Sequence, residues 1–416
     1  MGNQAQRLDE LDPLAEFRSK FVISDETVYL DGNSLGRMPL ASRTRIEQLL
    51  QREWGERLVR SWGESWIDLP QRLGDKVGRL IGAVPGETVM ADSTSVNFFK
   101  LATSALRAKS GRMKVVTEAT NFPSDLYLLQ GCVDLLGGGL EIVRLESHDG
   151  VHLPVEQIEA ELDENTALLT LSHTAFKSGF VHDMKRLTEA AHAVGALVLW
   201  DLSHSVGAMP LSLSDYDVDL AVGCSYKYLN GGPGAPAFLY VRRDLQELLA
   251  NPIWGWFGQK NAFDFGLDYQ PADGVGRFLA GTPPIISMAA IEPGVDLLLD
   301  AGMEQVRAKS IAQTEFLIEL WSKYLEPLDV SLNSPLSAQN RGSHVSLGHA
   351  EALRIDRALI EQKHVIPDFR RPDNIRFGVA PLYNSYHELE VAVLAMADVI
   401  KSRSYEEYPD TLSGVT

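Results

Sequence analysis

The chain has 416 residues, of which 45% are hydrophobic and 23% are charged, and its formal net charge at pH 7 is −18. This balance is typical of a globular protein of two or three domains. The excess of acidic residues argues against nucleic acid or an anionic membrane as a partner, because both require a basic surface. A site for an anionic ligand would therefore have to be built locally.

The predicted elements begin with an amphipathic helix over residues 8–22 and a strand at Val28. The strand breaks into a glycine turn over residues 31–36, and helical patterns follow at 40–60 and 70–82. From there strands and helices alternate, which favours a doubly wound, mostly parallel sheet. The strand-like runs are 88–91, 113–117, 140–145, 167–172, 196–200, 220–224 and 237–241.

The last two of these runs are joined only by a glycine-rich loop, which is too short for a parallel crossover and predicts an antiparallel pair. Residues 251–283 are irregular, and a segment of that length is usually functional. A second α/β unit then follows a long helical region. Its strands lie near 330, at 344–347 and at 375–378, and its helices at 350–363 and 386–402.

These patterns predict three parts of the chain. Residues 1–45 form an N-terminal segment that packs with the smaller domain, residues 46–290 form the large domain, and residues 291–416 form the small C-terminal domain. The chain has two cysteines, Cys132 and Cys224, which are too few for a disulfide framework and are expected to be buried thiols. With no signal-peptide pattern and no apolar run of membrane-spanning length, the expected location is the cytoplasm.

Lys227 and Asp201 each follow an apolar strand-like run. In a parallel sheet the two runs end at the same edge, where α/β folds bind their ligands. An amine and a carboxylate are what pyridoxal phosphate (PLP) requires, the first to bind its aldehyde and the second to keep its pyridine nitrogen protonated. Taken singly, each residue is more often a solvated charge or a helix cap. The prediction of a PLP site therefore depends on the pair.

A phosphate site is predicted where the run at 88–91 leads into an apolar helix. Thr94 and Ser95 bring hydroxyl groups to the free N–H groups of that helix N-terminus, and such an arrangement binds a dianion well. An ordinary Ser/Thr helix cap is the alternative reading of the same residues.

Several segments carry a resemblance that covers residues 28–400. They are 201–207 and 225–232, around the two charged residues, together with 121–125, 255–258, 281–284 and 376–385. They resemble the kynureninases, which are fold-type I PLP enzymes of the aminotransferase class V branch. The resemblance implies a mostly parallel seven-stranded sheet with one reversed strand and a smaller α/β domain.

The resemblance also implies roles for individual side chains. Lys227 would bind PLP and move the proton at the substrate Cα, Asp201 would sustain the electron sink, and Tyr226 would handle protons or bind the phosphate. The further cofactor contacts that it implies are Thr94, Ser95, Phe122, Pro123, Ser124, Asp125, Ser172 and His204, with Trp256 and Thr282 reaching the phosphate from the partner subunit. Arg376 would bind the substrate α-carboxylate, with Trp62, Gly281 and Thr282 near the substrate ring.

The implied activity is hydrolysis of the Cβ–Cγ bond of L-kynurenine to anthranilate and L-alanine in tryptophan degradation. The resemblance implies PLP as the cofactor, no metal, and a homodimer with a shared active site. It leaves open whether 3-hydroxykynurenine is also cleaved, although the bulk of Trp62 favours the unhydroxylated ring.

Three rival functions are open to a PLP-binding chain. A cysteine desulfurase requires a reactive cysteine on a loop of the small domain, and neither Cys132 nor Cys224 lies there. A cofactor-binding transcriptional regulator requires a basic DNA-binding module, for which the N-terminal segment is too short and the chain too acidic. An aminotransferase is the third rival.

Overall fold

A computed structural model describes residues 2–24 and 26–411. The α-helices of this part are α1 (Gly2–Glu10), α2 (Leu40–Gln48), α3 (Leu69–Ile81), α4 (Thr94–Ala108), α5 (Pro123–Leu135), α6 (Val155–Glu161), α7 (Met184–Ala193), α8 (Arg243–Gln246), α9 (Ile285–Ala301), α10 (Met303–Tyr324), α11 (Ala352–Lys363) and α12 (Tyr386–Ser402). The strands are β1 (Val28–Tyr29), β2 (Thr88–Ala91), β3 (Lys114–Glu118), β4 (Glu141–Leu145), β5 (Thr166–Ser172), β6 (Leu197–Asp201), β7 (Leu220–Gly223), β8 (Ala237–Val241), β9 (Ser331–Leu332), β10 (His344–Gly348), β11 (Val365–Ile366), β12 (Asp368–Arg370) and β13 (Asn374–Gly378).

Seven strands form the large sheet in the order β2-β8-β7-β6-β5-β3-β4. Strand β8 is antiparallel to both of its neighbours, whereas β3, β4, β5, β6 and β7 pair in parallel. The prediction of a mostly parallel seven-stranded sheet with one reversed strand is confirmed. The glycine-rich loop between β7 and β8 is the reason for the reversal, because a parallel connection would need a long crossover.

Helices cover both faces of this sheet, and the alternation of side chains along each strand builds two cores. On β6, Leu197 and Leu199 pack on the side of α4 and α5, whereas Val198 and Trp200 pack on the side of α3, α7 and α9. A strand with apolar side chains on both faces is typical of a parallel sheet covered by helices. The carboxyl ends of β5, β6 and β7 therefore lie side by side at one edge of a rigid layer.

A separate core lies around a four-stranded sheet of order β12-β13-β10-β9 and the helices α10, α11 and α12. Ala5 and Leu30, from the N-terminal segment, are buried in this core. The predicted boundary between residues 290 and 291 falls inside α9, whose Ile285 and Leu298 both pack in the core of the large sheet. The division of the chain into three parts stays a prediction. Residues 1, 25 and 412–416, which belong to two of those parts, lie outside the described residues.

The helix predicted over residues 8–22 is wrong in its bounds. Helix α1 ends at Glu10, and a 3-10 helix spans Ala15–Lys20. Pro13 separates the two, because proline has no N–H group to continue an α-helix. Asp12 then accepts a hydrogen bond from the backbone N–H of Leu14 at 2.9 Å. No α-helix among the described residues is long and apolar enough to cross a membrane.

Candidate active site

The carboxyl ends of β5, β6 and β7 bring the predicted catalytic residues together. Ser172 ends β5 directly opposite Asp201, which ends β6, and Asp201 is opposite Val222 of β7. Lys227 lies four residues beyond the end of β7. Asp201 and Lys227 thus lie at the carboxyl edge of the large sheet, as the sequence predicted.

The Lys227 amine contacts one histidine and lies near two aromatic rings. Its Nζ lies 3.3 Å from His204 Nε2, 5.8 Å from the centre of the Phe122 ring and 6.0 Å from that of Tyr226. Burial, together with the nearby Lys227 cation, lowers the pKa of His204 well below its ordinary value. His204 is therefore neutral and can accept a hydrogen bond from the lysine ammonium.

Asp125 and Asp201 form a buried pair of carboxyl groups beside this lysine. Burial and the neighbouring Asp201 raise the pKa of Asp125 well above its ordinary value, although the Lys227 cation opposes the shift. Two such carboxyl groups do not both ionise easily, so their proximity favours the protonated form of Asp125. Asp201 accepts a hydrogen bond from the N–H of Ser203 at 2.8 Å, which fixes its orientation.

Hydroxyl groups and a helix N-terminus lie at the predicted phosphate end. Helix α4 begins at Thr94, and its cap, Ser93, accepts a hydrogen bond from the N–H of Val96. Ser95 Oγ lies 3.0 Å from Ser124 Oγ, so the starts of α4 and α5 converge. Pro123 is the first residue of α5, where its missing N–H costs nothing.

Tyr226 and Lys227 lie on a loop that the N-terminal segment holds from outside. The N–H of Gly36 donates to the carbonyl of Tyr226 at 2.8 Å. A Cβ atom on Gly36 would lie 2.2 Å from the Lys227 carbonyl oxygen, so only glycine fits there. The Cys224 thiol and burial raise the pKa of Tyr226, which therefore remains protonated.

Arg376 lies on β13 of the small sheet and is buried. Its Nε donates to Asp368 Oδ1 at 2.6 Å, its Nη2 to Ser34 Oγ at 3.1 Å, and its Nη1 to the carbonyl of Phe176. The Phe176 ring in turn meets the Phe122 ring edge-on at 5.3 Å. The loop that carries Phe176 thus links the guanidinium to the aromatic ring beside Lys227.

The remaining predicted residues lie apart from Lys227: Trp62 and Trp256 contact the aromatic segment 254–265, and Gly281 and Thr282 line a cavity. Trp62 contacts Phe257 at 5.8 Å, and Trp256 contacts Phe257 at 4.5 Å between ring centres. Gly281 and Thr282 are exposed and line a cavity of about 60 Å³ that also includes Asp92, just before α4. Among the described residues, the Trp256 ring contacts Phe257 and Phe263, and neither of these rings lies beside Lys227.

Comparison with known proteins decides the family. The kynureninase of Pseudomonas fluorescens is 40% identical over 410 residues, which span 97% of this chain and 97% of that protein. The kynureninase of Burkholderia pseudomallei (strain 1106a) is 39% identical over 407 residues, which span 97% and 96%. The model of the kynureninase C-terminal domain matches residues 306–396. The chain belongs to the kynureninase family.

Solved structures show the same fold. A cysteine desulfurase of Thermococcus onnurineus NA1 matches with a TM-score of 0.79 at 20% identity, covering 93% of this chain and 98% of that one. A mutant of C-DES with glycine covalently linked to its PLP cofactor matches with a TM-score of 0.78 at 18% identity, covering 92% and 99%. This likeness confirms the fold-type I architecture, while the family comes from the kynureninase relatives.

The polar atoms at the sheet edge fit the PLP of the kynureninase family. Ser172 Oγ is buried and has no hydrogen-bond partner among the described residues. Buried polar atoms without partners are uncommon in native proteins and require an explanation, such as a bound group. Asp125 and Asp201 suit a protonated pyridine nitrogen, Lys227 suits the aldehyde, and the N-terminus of α4 suits the phosphate.

Sequence reasoning missed two polar residues of the small sheet. Asp368 lies directly opposite Arg376 and forms an ion pair with it, and His344 lies on the neighbouring strand. The only sequence signal for Asp368 is an acidic residue two positions before Arg370 in a short apolar run. His344 had no signal beyond its place in a predicted strand, because strand register decides what such residues face.

Proposed function

We propose that the protein is a PLP-dependent kynureninase that hydrolyses the Cβ–Cγ bond of L-kynurenine and releases anthranilate and L-alanine. The observation that carries this proposal is 40% identity to a kynureninase over 97% of the chain. The buried edge that holds Lys227, Asp125 and Asp201 supports it independently, because these groups match the chemistry that the reaction requires.

PLP, when bound, supplies an electron sink for the bonds at the substrate Cα. Lys227 would hold this cofactor until the amino group of the substrate displaces it, and the freed Lys227 amine would then take the proton from the substrate Cα. The Lys227 amine is suited to both tasks, because its neighbour His204 is a neutral acceptor rather than a second cation.

Asp201 provides the negative charge that keeps a proton on the pyridine nitrogen. Asp125, whose pKa is raised by burial and by Asp201, serves as a neutral hydrogen-bond donor at the same edge. Tyr226 keeps its phenolic proton and can donate it to the oxygen of the substrate γ-carbonyl. Water adds to the carbon of that carbonyl before the Cβ–Cγ bond breaks.

Arg376 binds the substrate α-carboxylate in this proposal. Its Nε and Nη2 already form a paired interaction with Asp368, so the second N–H of Nη1 is the donor left for the substrate carboxylate. Asp368, Ser34 and the Phe176 carbonyl fix its position in advance, so little side-chain entropy is lost on binding. Trp62 and its neighbours would then contact the substrate ring.

A homodimer with shared active sites belongs to the same proposal. Trp256 and Phe263 are 41% and 57% exposed, and Phe265 and Leu267 are more exposed still. A patch of aromatic side chains of this kind is typical of a protein interface. In a dimer Trp256 and Thr282 of each subunit would reach the phosphate end of the other subunit's site, at the start of α4. The proposed location is the cytoplasm, in keeping with two buried free thiols.

The activity is tested by incubating the holoenzyme with L-kynurenine and measuring anthranilate fluorescence and L-alanine. Equal amounts of both products are expected. L-cysteine, with sulfide as the readout, is the matched control for a desulfurase, and none is expected because Cys132 and Cys224 are both buried. Sulfide release without anthranilate would contradict the proposal. The same assay with 3-hydroxykynurenine measures the preference that Trp62 is proposed to set.

The shared site is tested by mixing two inactive variants, Lys227→Ala and the double variant Trp256→Ala with Thr282→Ala. A mixed dimer would regain one site with an intact lysine and an intact aromatic segment. We therefore expect activity to reappear on subunit exchange. If mass spectrometry shows mixed dimers and both parents stay inactive, yet no activity returns, each chain builds its site alone.

A further inference from the structure

His344 is fully buried, yet neither of its ring nitrogens has a hydrogen-bond partner. Two other buried histidines differ in this respect, since His173 bonds to Ser205 and His182 bonds to Glu118. A buried polar group without a partner disfavours folding, whereas an apolar ring of the same shape does not. A phenyl ring at position 344 would therefore stabilise the fold at least as well as the imidazole does.

Strand register places His344 on the same face of the small sheet as Arg376. His344 is directly opposite Gly378 of β13, and Ser346, two residues further along β10, is directly opposite Arg376. Residues two apart on a strand share a face, and opposite residues of an antiparallel pair do so too. His344 and Arg376 are therefore diagonal neighbours, with Cα atoms about 7–8 Å apart in such pairs.

The catalytic edge of the large sheet lies on the other side of the His344 ring. The centres of the His344 and His204 rings are 5.9 Å apart, and His204 Nε2 is 3.3 Å from Lys227 Nζ. A Cβ atom on Gly179 would lie 3.3 Å from His344 Nε2, so the loop that carries Phe176 also closes on this ring. His344 thus lies between the proposed carboxylate-binding arginine and the proposed catalytic lysine.

The surroundings of His344 favour an anionic ligand. Burial and then the Arg376 cation lower its pKa to about 3, so the ring is neutral and keeps one N–H donor. Lys227 and Arg370 add positive charge nearby, Asp368 adds the negative charge, and His204 is neutral. A carboxylate that enters this space would meet an excess of positive charge and a free donor.

We infer that His344 is a substrate-binding residue whose imidazole N–H donates a hydrogen bond to the α-carboxylate that Arg376 binds. This inference rests on the proposed function, because it takes an amino-acid substrate as given. It explains why a polar ring occupies a position where the fold alone has no use for one.

The test compares His344→Phe, which keeps the ring and removes both nitrogens, with His344→Gln, which restores a donor. KM and kcat of the holoenzyme for L-kynurenine are measured from anthranilate release. In His344→Phe we expect KM to rise about tenfold or more while kcat stays within about threefold, because the lost bond is to a charged group present throughout the reaction. His344→Gln should recover part of the difference.

Two further measurements separate this inference from the proposed function. Titration of the holoenzyme with L-alanine, followed by the cofactor absorbance, gives a Kd that does not depend on kynurenine turnover, and His344→Phe should weaken it by a similar factor. Thermal melting of the cofactor-free protein should show His344→Phe at or above the wild type. His182→Phe is the control and should melt lower, because it leaves the buried Oε1 of Glu118 without its partner.

An unchanged alanine Kd in His344→Phe would overturn the inference even if kynurenine turnover proved the proposed function right. A melting temperature that falls as far as that of His182→Phe, or a failure to fold, would also overturn it, since the imidazole would then be a structural donor. If the wild type released no anthranilate, the proposed function would fail, and the alanine titration would still decide the role of His344.

Discussion

Two regions of the molecule bury charge in different ways. At the carboxyl edge of the large sheet, Ser172 Oγ has no hydrogen-bond partner among the described residues, and the Lys227 amine lies within hydrogen-bond distance of His204. In the arginine cluster of the small domain (Asp31, Asp356, Asp368, Arg370 and Arg376), Asp368 pairs with both arginines. The first region is arranged to receive a group, and the second holds a binding group in position.

The largest effect is expected for Lys227→Ala at the carboxyl edge. Turnover should fall by at least about 10⁴-fold, because the variant loses both the covalent attachment of the cofactor and the base, and general acid–base catalysis alone contributes ~10²–10⁴-fold. The visible absorbance of the lysine-bound cofactor should disappear, while circular dichroism shows the fold retained. Lys177→Ala is the matched control. If Lys177→Ala lost the absorbance and Lys227→Ala kept it, the attachment would be assigned wrongly.

Asp201→Ala should be the next most severe change at the same edge. We expect kcat to fall by about 10²-fold or more with the cofactor still attached to Lys227, because the electron sink loses the charge that sustains it. Asp125→Asn is the comparison, since it replaces a carboxyl group whose protonated form is favoured by burial and by Asp201, and its loss should be smaller. Near-normal kcat in Asp201→Ala with bound cofactor would contradict the role given to this carboxylate.

Asp368→Asn probes the arginine cluster, and its effect should be on binding and stability. The free energy of unfolding should fall by about 3–5 kcal/mol, the typical cost of removing one partner from a buried ion pair, because a buried cation is left unpaired. KM for L-kynurenine should rise about tenfold with a smaller change in kcat, since Arg376 is no longer fixed. Chemical denaturation and steady-state kinetics measure the two effects. A large loss of kcat at unchanged KM would place Asp368 in the chemical step instead.

Asp356→Asn should have the smallest effect on turnover, and its effect on stability should depend on pH. Burial first, and then Asp368 and Asp31, raise the pKa of Asp356 to about 8 in the folded protein. The folded state therefore binds more protons than the unfolded state between about pH 4 and pH 8, so this carboxyl group lowers stability as pH rises through that window. Asn removes the penalty.

The melting temperature of Asp356→Asn should thus exceed that of the wild type by a few degrees near pH 8.5, and the difference should shrink as the pH falls toward 4. Asp398→Asn, at an exposed carboxylate on α12 that pairs with Lys363, is the control and should show no such trend. Parallel pH profiles for the wild type and Asp356→Asn would show that Asp356 is ionised in the folded protein.

Much of the large domain could be predicted from the sequence because its signals are local. The apolar runs predicted both ends of β2 and β8 correctly, and the short glycine-rich loop predicted that β8 runs antiparallel to β7. Lys227 and Asp201 could be paired because parallel strands end at one edge. The small domain offered less, since the proximity of Asp368, His344 and Arg376 depends on the register of three short strands. Pro13 was a local signal against a continuous helix over 8–22.

The hydrogen bond from Gly36 to the Tyr226 carbonyl has a practical consequence for anyone who shortens or tags this protein. Residues 30–36 connect the loop that carries Lys227 to the core around the small sheet, because Gly36 bonds to that loop and Leu30 is buried in that core. A deletion that removed the turn at residues 31–36 would also remove the hydrogen bond that holds the Lys227 loop in place. Expression plasmids that begin downstream of residue 36 should therefore yield a protein that takes up its cofactor poorly, however intact its large sheet.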